Sequence, residues 1–201
     1  MFSKNAVQTR SRKDMNLLEF DYAMNIKDVL MAQGYGQICS HIDIVNRYKV
    51  KLVIELGMYM GGILSHLIPN LELDNEFSYL GFEILPEAVK DRIKRYAIRQ
   101  PRCSLVLEDM FSPSNIKRIA NSIQNTNGVV YIFCDGGDKP KELLTFSKFM
   151  KSGDIISVHD YTFDQTGEIK DSDLSKLDKS FLPLDEQWRK DILWMPTFIK
   201  I

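Results

Sequence analysis

The chain has 201 residues, enough for one domain with a full hydrophobic core, and its 26 basic and 27 acidic residues give a net charge of −1. This balance leaves no broad positive surface, so the sequence shows no clear nucleic-acid footprint, and only local basic patches stay open. The three cysteines are widely spaced and no apolar run reaches the length of a membrane span, so we expect a cytoplasmic protein without membrane association.

The chain divides into an arm and one domain. Residues 1–16 are polar and basic and predict a flexible arm. Apolar positions at helical spacing in residues 17–50 predict a helical cap. Alternating strand and helix patterns over 51–161 predict a cofactor-binding core, and 162–201 predict a loop with a terminal strand. We therefore assign residues 17–201 to a single domain.

The segment Lys51–Gly62 is an apolar strand that ends in an acid and then breaks into glycines. Gly57 suits backbone angles that are closed to other residues, and Gly61 and Gly62 let a helix begin close to the sheet, so a ligand can approach bare backbone. Glu55 places a carboxylate at the mouth of this turn, where it repels a pyrophosphate but suits a sulfonium. The pattern therefore favours S-adenosylmethionine over a dinucleotide.

The spacing E-x-G-x-x-x-G in this segment resembles motif I of the class I S-adenosylmethionine-dependent methyltransferases, with a tyrosine where many members have a middle glycine. The resemblance implies a Rossmann-like fold and a set of cofactor-binding residues: Glu55, Gly57, Tyr59, Gly61 and Gly62. An ordinary strand, turn and helix is the alternative for this segment taken alone.

A second apolar strand, Phe77–Glu83, also ends in an acid, and a helical pattern follows it over Glu87–Arg99. In a doubly wound sheet the end of this strand lies beside the glycine turn, so Glu83 can accept hydrogen bonds from both ribose hydroxyls of a nucleoside. A dinucleotide site would place its acid about 20 residues after G-x-G-x-x-G, and neither feature is clear here. A solvated strand-end carboxylate is the alternative for Glu83.

A third apolar run, Cys103–Leu107, precedes Asp109 and Met110 and the helix-start pattern Ser112-Pro113-Ser114. In the methyltransferase family an acid at this place contacts the adenine amino group, so the resemblance implies that role for Asp109. It also places Met110 against the adenine face. Aspartate is equally favoured in turns and helix caps, which is the alternative role for Asp109.

Two further strands, Gly128–Cys134 and Ile155–Val158, end in ionisable residues: Asp135 after the first, and His159 and Asp160 after the second. An acid at the end of a fully apolar strand is costly unless it has a role. Because consecutive parallel strands end at one edge of a sheet, these side chains are predicted to share that edge.

The stretch CDGG…KSGDIISVHDY resembles the cephalosporin hydroxylase-like and macrocin O-methyltransferase-like group of methyltransferases. The resemblance covers roughly Gln37–Tyr161 and departs from the group at Asp138, where relatives commonly have histidine. It implies transfer of a methyl group that is already electrophilic, so the protein must align a nucleophile and weaken the bond to its proton.

Three roles are open for the strand-end residues. His159 has an unperturbed pKa of about 6.5 and suits a general base near neutral pH. Alternatively, Asp135 and Asp160 hold Mg²⁺, which prefers oxygen ligands and lowers the pKa of a bound hydroxyl. In the third alternative, Asp135 supports the methionine end of the cofactor while His159 and Asp160 bond to neighbouring loops.

The end of the chain completes the predicted fold. The polar segment Thr162–Ser180 predicts a loop near the active edge, and Asp191–Ile201 predicts a terminal antiparallel strand in which Pro196 marks an edge or a bulge. The usual two-strand hairpin of the family is predicted to be shortened. The fold class is a single Rossmann-like, doubly wound, mostly parallel α/β sheet with helices on both faces.

These patterns together predict an S-adenosylmethionine-dependent methyltransferase with a small-molecule acceptor. No N-P-P-Y-like tetrapeptide follows the fourth strand, which favours O-methylation of a small molecule or sugar. A noncatalytic protein that keeps the cofactor fold is the main alternative. An NAD-type oxidoreductase is disfavoured by Glu55 and the missing G-x-G-x-x-G. The sequence leaves open whether the protein forms a homo-oligomer.

Overall fold

The computed structural model describes residues 35–73, 77–162, 166–184 and 195–201 of the chain. The predicted arm and the first part of the predicted cap lie outside the described residues. Within them, none of the helices combines the length and the apolar character needed to cross a membrane.

A central sheet contains seven strands: β1 (Leu52–Leu56), β2 (Ser78–Phe82), β3 (Cys103–Val106), β4 (Val130–Cys134), β5 (Ile155–Val158), β6 (Phe181–Pro183) and β7 (Thr197–Lys200). Their order in the sheet is β3-β2-β1-β4-β5-β7-β6. β1 to β5 are parallel, and β7 runs antiparallel to both of its neighbours. The chain reverses its direction of winding between β1 and β4, and open α/β sheets bind ligands at such a point. The predicted doubly wound sheet is confirmed.

The helices follow the strands: α1 (Tyr35–Arg47), α2 (Gly62–Leu73), α3 (Asp91–Arg99), α4 (Pro113–Asn125), α5 (Lys139–Phe146) and the single turn α6 (Asp171–Leu174). Alternate strand residues face opposite sides of the sheet. Val53 and Tyr131 belong to a core cluster with residues of α1, α2 and α3. Ile54 and Ile132 belong to a second cluster with residues of α4 and α5. Helices therefore cover both faces.

Three element boundaries differ from the sequence prediction. α3 begins at Asp91 and not at the predicted Glu87, because Pro86 and Glu87 lie in a turn in which the Ala88 N–H donates to the Leu85 carbonyl (N···O 3.0 Å). The sequence pattern predicts a helix over Lys141–Met150, whereas α5 begins at Lys139 and ends at Phe146, and a 3₁₀ turn over Ser147–Phe149 continues it.

The end of the chain also differs from the prediction. It contributes β7, and the predicted loop contributes β6, so two short antiparallel strands extend the sheet where one was expected. Pro196 does not mark an edge strand, because β7 lies between β5 and β6. Pro196 instead precedes β7, and its carbonyl accepts a hydrogen bond from the Val158 N–H at 3.0 Å.

Candidate active site

The turn after β1 has an unusual backbone. Gly57 and Gly61 have φ of 84° and 85°, and Tyr59 between them has φ of 47°. Glycine adopts positive φ without steric cost, whereas a tyrosine there is uncommon and strained. Gly62 is buried and begins α2. The predicted glycine turn is therefore present, and Tyr59 takes a left-handed conformation in place of a middle glycine.

This turn lies between the ends of β2 and β4. The backbone N–H groups of Gly57 and Met58 both donate to the carbonyl of Phe82, each at 3.0 Å. A Cβ atom on Gly57 would lie 2.5 Å from both the Asp135 carbonyl oxygen and the Gly136 Cα atom. Position 57 therefore requires glycine for its φ and also for the close approach of the backbone after β4.

Glu83 follows β2, and its carboxylate bonds to the turn. One oxygen accepts the Tyr59 N–H at 2.7 Å and the other accepts the Leu85 N–H at 3.0 Å. Around it lie partly exposed apolar side chains, with 46% of Tyr59, 59% of Ile84 and 53% of Leu85 accessible. Each carboxylate oxygen retains further lone pairs. A polar acceptor flanked by apolar side chains suits a nucleoside, although the ribose contact stays a prediction.

Glu55 occupies a different place from the predicted one. Its side chain is only 2% exposed and accepts a hydrogen bond from the Tyr79 hydroxyl, so it does not lie at the mouth of the turn. The reason is strand alternation, which directs residue 55 into the layer that contains Tyr79. Burial raises the pKa of Glu55 well above its ordinary value. A carboxyl group with a raised pKa carries less charge, which weakens the electrostatic argument for a sulfonium at this residue.

Asp109 and Met110 follow β3 as expected. The Asp109 carboxylate is exposed and accepts the Phe111 N–H at 2.8 Å, which is an Asx-type turn. The backbone carbonyl of Asp109 accepts a hydrogen bond from the Asn115 side chain at 2.9 Å. Met110 is buried in the core, and its Cε lies 3.0 Å from the place of a Cβ on Gly136. The adenine contacts of Asp109 and Met110 stay predictions, and the turn role of Asp109 is present.

The structure brings together the ionisable residues that follow β4 and β5. His159 Nδ1 lies 2.9 Å from Asp135 Oδ1 and 3.1 Å from Asp160 Oδ1. Asp160 has φ of 60°, an uncommon conformation for a residue other than glycine. Strained backbone is found preferentially at functional sites. The two strand ends therefore form one compact cluster, the strand-end cluster of Asp135, His159 and Asp160.

A lysine and a glutamate that the sequence analysis did not single out join this cluster. Lys139 Nζ lies 2.9 Å from Asp160 Oδ2, 2.7 Å from Glu168 Oε2, 3.1 Å from the Gly136 carbonyl oxygen and 3.8 Å from Asp135 Oδ1. Lys139 directly follows the segment DGGD at the start of α5. A cation at a helix N-terminus is disfavoured by the helix dipole. The position of this lysine was therefore the feature of the sequence that could have indicated a carboxylate partner.

The cluster changes the pKa values of its members. Burial alone lowers the pKa of His159, but hydrogen bonds to Asp135 and Asp160 outweigh burial and raise it to about 9. Burial raises the pKa of Asp160, but the hydrogen bonds and charges of His159 and Lys139 bring it below its ordinary value. Burial likewise opposes the raised pKa of Lys139, which hydrogen bonds to Glu168 and Asp160 produce. At neutral pH the cluster therefore contains an imidazolium.

The position that departs from the resembled family has a structural role. Asp138 Oδ1 accepts the Lys141 N–H at 3.1 Å and so caps α5. Glu142 accepts the N–H groups of Gly136 at 3.1 Å and Asp138 at 3.3 Å. Burial raises the pKa of Glu142 to about 7. The loop between β4 and α5 is therefore held by Asp138 at the start of α5 and by Glu142 within it.

Asp135, His159 and Asp160 also have the spacing of metal ligands, because one ligand atom from each lies within 4.8 Å of the others. Two contacts oppose a divalent ion in this arrangement. The Lys139 ammonium already bonds to Asp160 Oδ2, and His159 Nδ1 is directed at both carboxylates. The residues as arranged do not fit the ion, and the Mg²⁺ site at Asp135 and Asp160 stays a prediction.

A buried chain of hydrogen bonds connects α1 to β7 behind the cluster. His41 Nδ1 lies 2.7 Å from the Tyr131 hydroxyl, which donates to Ser157 at 3.0 Å; the Ser157 and Thr197 hydroxyls lie 2.7 Å apart. His41 Nδ1 donates to the Tyr131 hydroxyl or accepts from it, according to the tautomer of the imidazole ring. Burial lowers the pKa of His41 to about 3, so this histidine is neutral.

Several solved structures have a similar fold. A structure described as CmcI-N160 in its apo form has a TM-score of 0.68 and 11% identity, over 88% of this chain and 76% of that chain. A structure described as cmcI-D160 with Mg-SAM has a TM-score of 0.68 and 11% identity, over 88% and 75%. A Staphylococcus aureus protein provisionally described as a caffeoyl-CoA O-methyltransferase has a TM-score of 0.52 and 9% identity, over 82% of each chain.

At these identities the similarity shows the fold alone. No protein-family model matches the chain, and no curated protein matches it by sequence.

Proposed function

We propose that the protein is an S-adenosylmethionine-dependent methyltransferase that methylates a hydroxyl group of a small molecule or sugar. One observation carries the proposal. The glycine turn and Glu83 follow β1 and β2, the strand-end cluster follows β4 and β5, and the turn and the cluster meet where a Cβ on Gly57 would contact the Asp135 backbone. The shared fold with a structure described as cmcI-D160 Mg-SAM supports it.

The residues at this edge fit the cofactor. Glu83 would accept hydrogen bonds from the ribose, Tyr59, Ile84 and Leu85 would offer apolar surface to the nucleoside, and Asp109 would accept from the adenine amino group. Asp135, beside Gly57, would accept from the ammonium of the methionine end. When bound, the cofactor supplies an electrophilic methyl group on a sulfonium.

We infer that His159 is the general base for the acceptor hydroxyl. Its Nδ1 bonds to both carboxylates of the cluster, which fixes the ring, so Nε2 is the atom that would take the hydroxyl proton. Because the pKa of His159 is raised to about 9, the neutral form that can act as a base increases as the pH rises toward that value. The rate should therefore rise between neutral pH and about pH 9.

A second candidate function is binding of the same nucleoside without turnover. The contacts of His159 Nδ1 with Asp135 and Asp160 favour it, because they raise the pKa of His159 to about 9 and an imidazolium cannot accept a proton. This candidate requires the cofactor site and makes no use of His159 as a base.

Calorimetry with S-adenosylhomocysteine tests the cofactor site, with NAD as the control nucleotide. We expect S-adenosylhomocysteine to bind at a single site and NAD to give no heat. If S-adenosylhomocysteine does not bind, both the enzyme and the binding-protein candidates are overturned. Incubation with methyl-labelled S-adenosylmethionine and a panel of hydroxyl acceptors then separates them. Labelled product that increases with pH supports the enzyme, and saturable cofactor binding without product across the panel supports the binding protein.

A further inference from the structure

Lys139 is almost completely enclosed by the cluster, with 6% of its side chain exposed. Its three N–H donors have three close acceptors: Asp160 Oδ2 at 2.9 Å, Glu168 Oε2 at 2.7 Å and the Gly136 carbonyl at 3.1 Å. Lysine is rarely buried unless it is paired. Asp160, Glu168 and the Gly136 carbonyl therefore use its hydrogen-bonding capacity entirely.

The acceptors come from three separate segments. Gly136 follows β4, Asp160 follows β5, and Glu168 lies in the segment that returns to pair Ile169 with Tyr161. A lysine at the first turn of α5 faces the positive end of the helix dipole, which disfavours it. The carboxylates of Asp160 and Glu168 offset that cost, so the ammonium and its acceptors form a mutually dependent unit.

A divalent ion between Asp135 and Asp160 would meet this ammonium. Lys139 Nζ lies 3.8 Å from Asp135 Oδ1 and bonds directly to Asp160, so an ion held by both carboxylates would be close to a fixed positive charge. Like charges in close proximity repel each other, so the ammonium disfavours the ion. Lys139 would have to leave before the ion could bind.

We propose that Lys139 is a positioning residue whose ammonium is the resident cation of the strand-end cluster, in place of a divalent metal ion. It orients Asp160, and it holds the segment that contains Glu168 against the edge of the sheet. The inference rests on these contacts. It has one consequence that rests on the proposed function: turnover should not respond to a chelator.

Titration with Mn²⁺, followed by electron paramagnetic resonance, tests the proposal on the full-length chain. The wild type and Lys139→Arg, which keeps the charge, should bind no stoichiometric Mn²⁺ up to millimolar concentrations. Lys139→Met should bind Mn²⁺ at least about tenfold more tightly than the wild type, because a unit positive charge close to the carboxylates is removed. Lys148→Met, which alters an exposed lysine of the adjacent 3₁₀ turn, is the matched control and should behave like the wild type.

Stoichiometric Mn²⁺ binding by the wild type at micromolar concentration overturns the proposal. So does a folded Lys139→Met variant with unchanged Mn²⁺ affinity. If Lys139→Met does not fold, the titrations of the wild type and of Lys139→Arg decide alone. S-Adenosylhomocysteine binding is measured in parallel, because its absence would refute the proposed function while leaving the metal result interpretable.

Discussion

The carboxylate of Glu83 accepts the backbone N–H of Tyr59 at 2.7 Å, which joins the end of β2 to the turn after β1. This bond holds a non-glycine residue with φ of 47° in the middle of the turn. The residue expected to bind ribose therefore also fixes the backbone that would surround the cofactor. Ligand binding and local backbone geometry depend here on one side chain.

Replacement of Glu83 should weaken cofactor binding. Glu83→Ala removes a charged hydrogen-bond acceptor, so the affinity for S-adenosylhomocysteine should fall by about 1.5–3 kcal/mol in calorimetry. Glu87→Ala, an exposed glutamate four positions later, is the control and should leave affinity unchanged. Wild-type affinity in Glu83→Ala would remove Glu83 from the ribose site.

Gly57→Ala should affect both the ligand site and the fold. The new Cβ would lie 2.5 Å from backbone atoms of Asp135 and Gly136, at a φ of 84°. We expect the free energy of unfolding to fall by at least about 1 kcal/mol, with loss of S-adenosylhomocysteine binding. Gly137→Ala is the matched control, because its Cβ would meet no atom within 4 Å. Equal stability of the two variants in urea denaturation would contradict this account.

His159 and His41 should titrate far apart. Nitrogen NMR of the imidazoles should show His159 titrating near pH 9 and His41 near pH 3, with the pKa of His66 below its ordinary value because the ring is partly buried. His159→Gln assigns the first signal. If His159 is the base, His159→Ala should lower turnover by about 10²–10⁴. A neutral His159 at pH 7 would show that its contacts with the two carboxylates do not persist in solution.

Acid should destabilise the protein through His41. Its folded pKa of about 3 lies below the unfolded value of 6.5, so between these values the unfolded chain binds a proton that the folded chain does not. The stabilising contribution is complete above pH 6.5 and is lost as the pH falls, by about 1.4 kcal/mol per pH unit.

Urea denaturation at pH 7 and pH 5 checks the contribution of His41. The wild type should lose about 2 kcal/mol more than His41→Gln between these two pH values. The His41→Gln variant also loses the bond to Tyr131, so it should be less stable than the wild type even at pH 7. Only the change in stability between the two pH values tests the contribution of His41. The same loss in both proteins would assign the acid sensitivity to other groups.

Local patterns in the sequence determined much of the sheet and the identity of its strand-end acids. Ile155–Val158 was predicted with the observed bounds, because a short apolar run between a turn and polar residues is a strand signal that needs no distant information. Asp135, His159 and Asp160 were predicted to share an edge because parallel strands end together. Ser112 was expected at a helix start, and its hydroxyl accepts the Asn115 N–H.

Only the tertiary structure decided which side chains complete the site. Lys139 and Glu168 are 29 positions apart and belong to no motif, yet they meet at 2.7 Å because α5 and the segment after β5 return to the same edge. Glu55 was predicted at the mouth of the turn and is buried beside Tyr79, because strand alternation directs it to a face of the sheet that helices cover. The sequence contains the charges of the site, but their pairing depends on distances that only the folded chain defines.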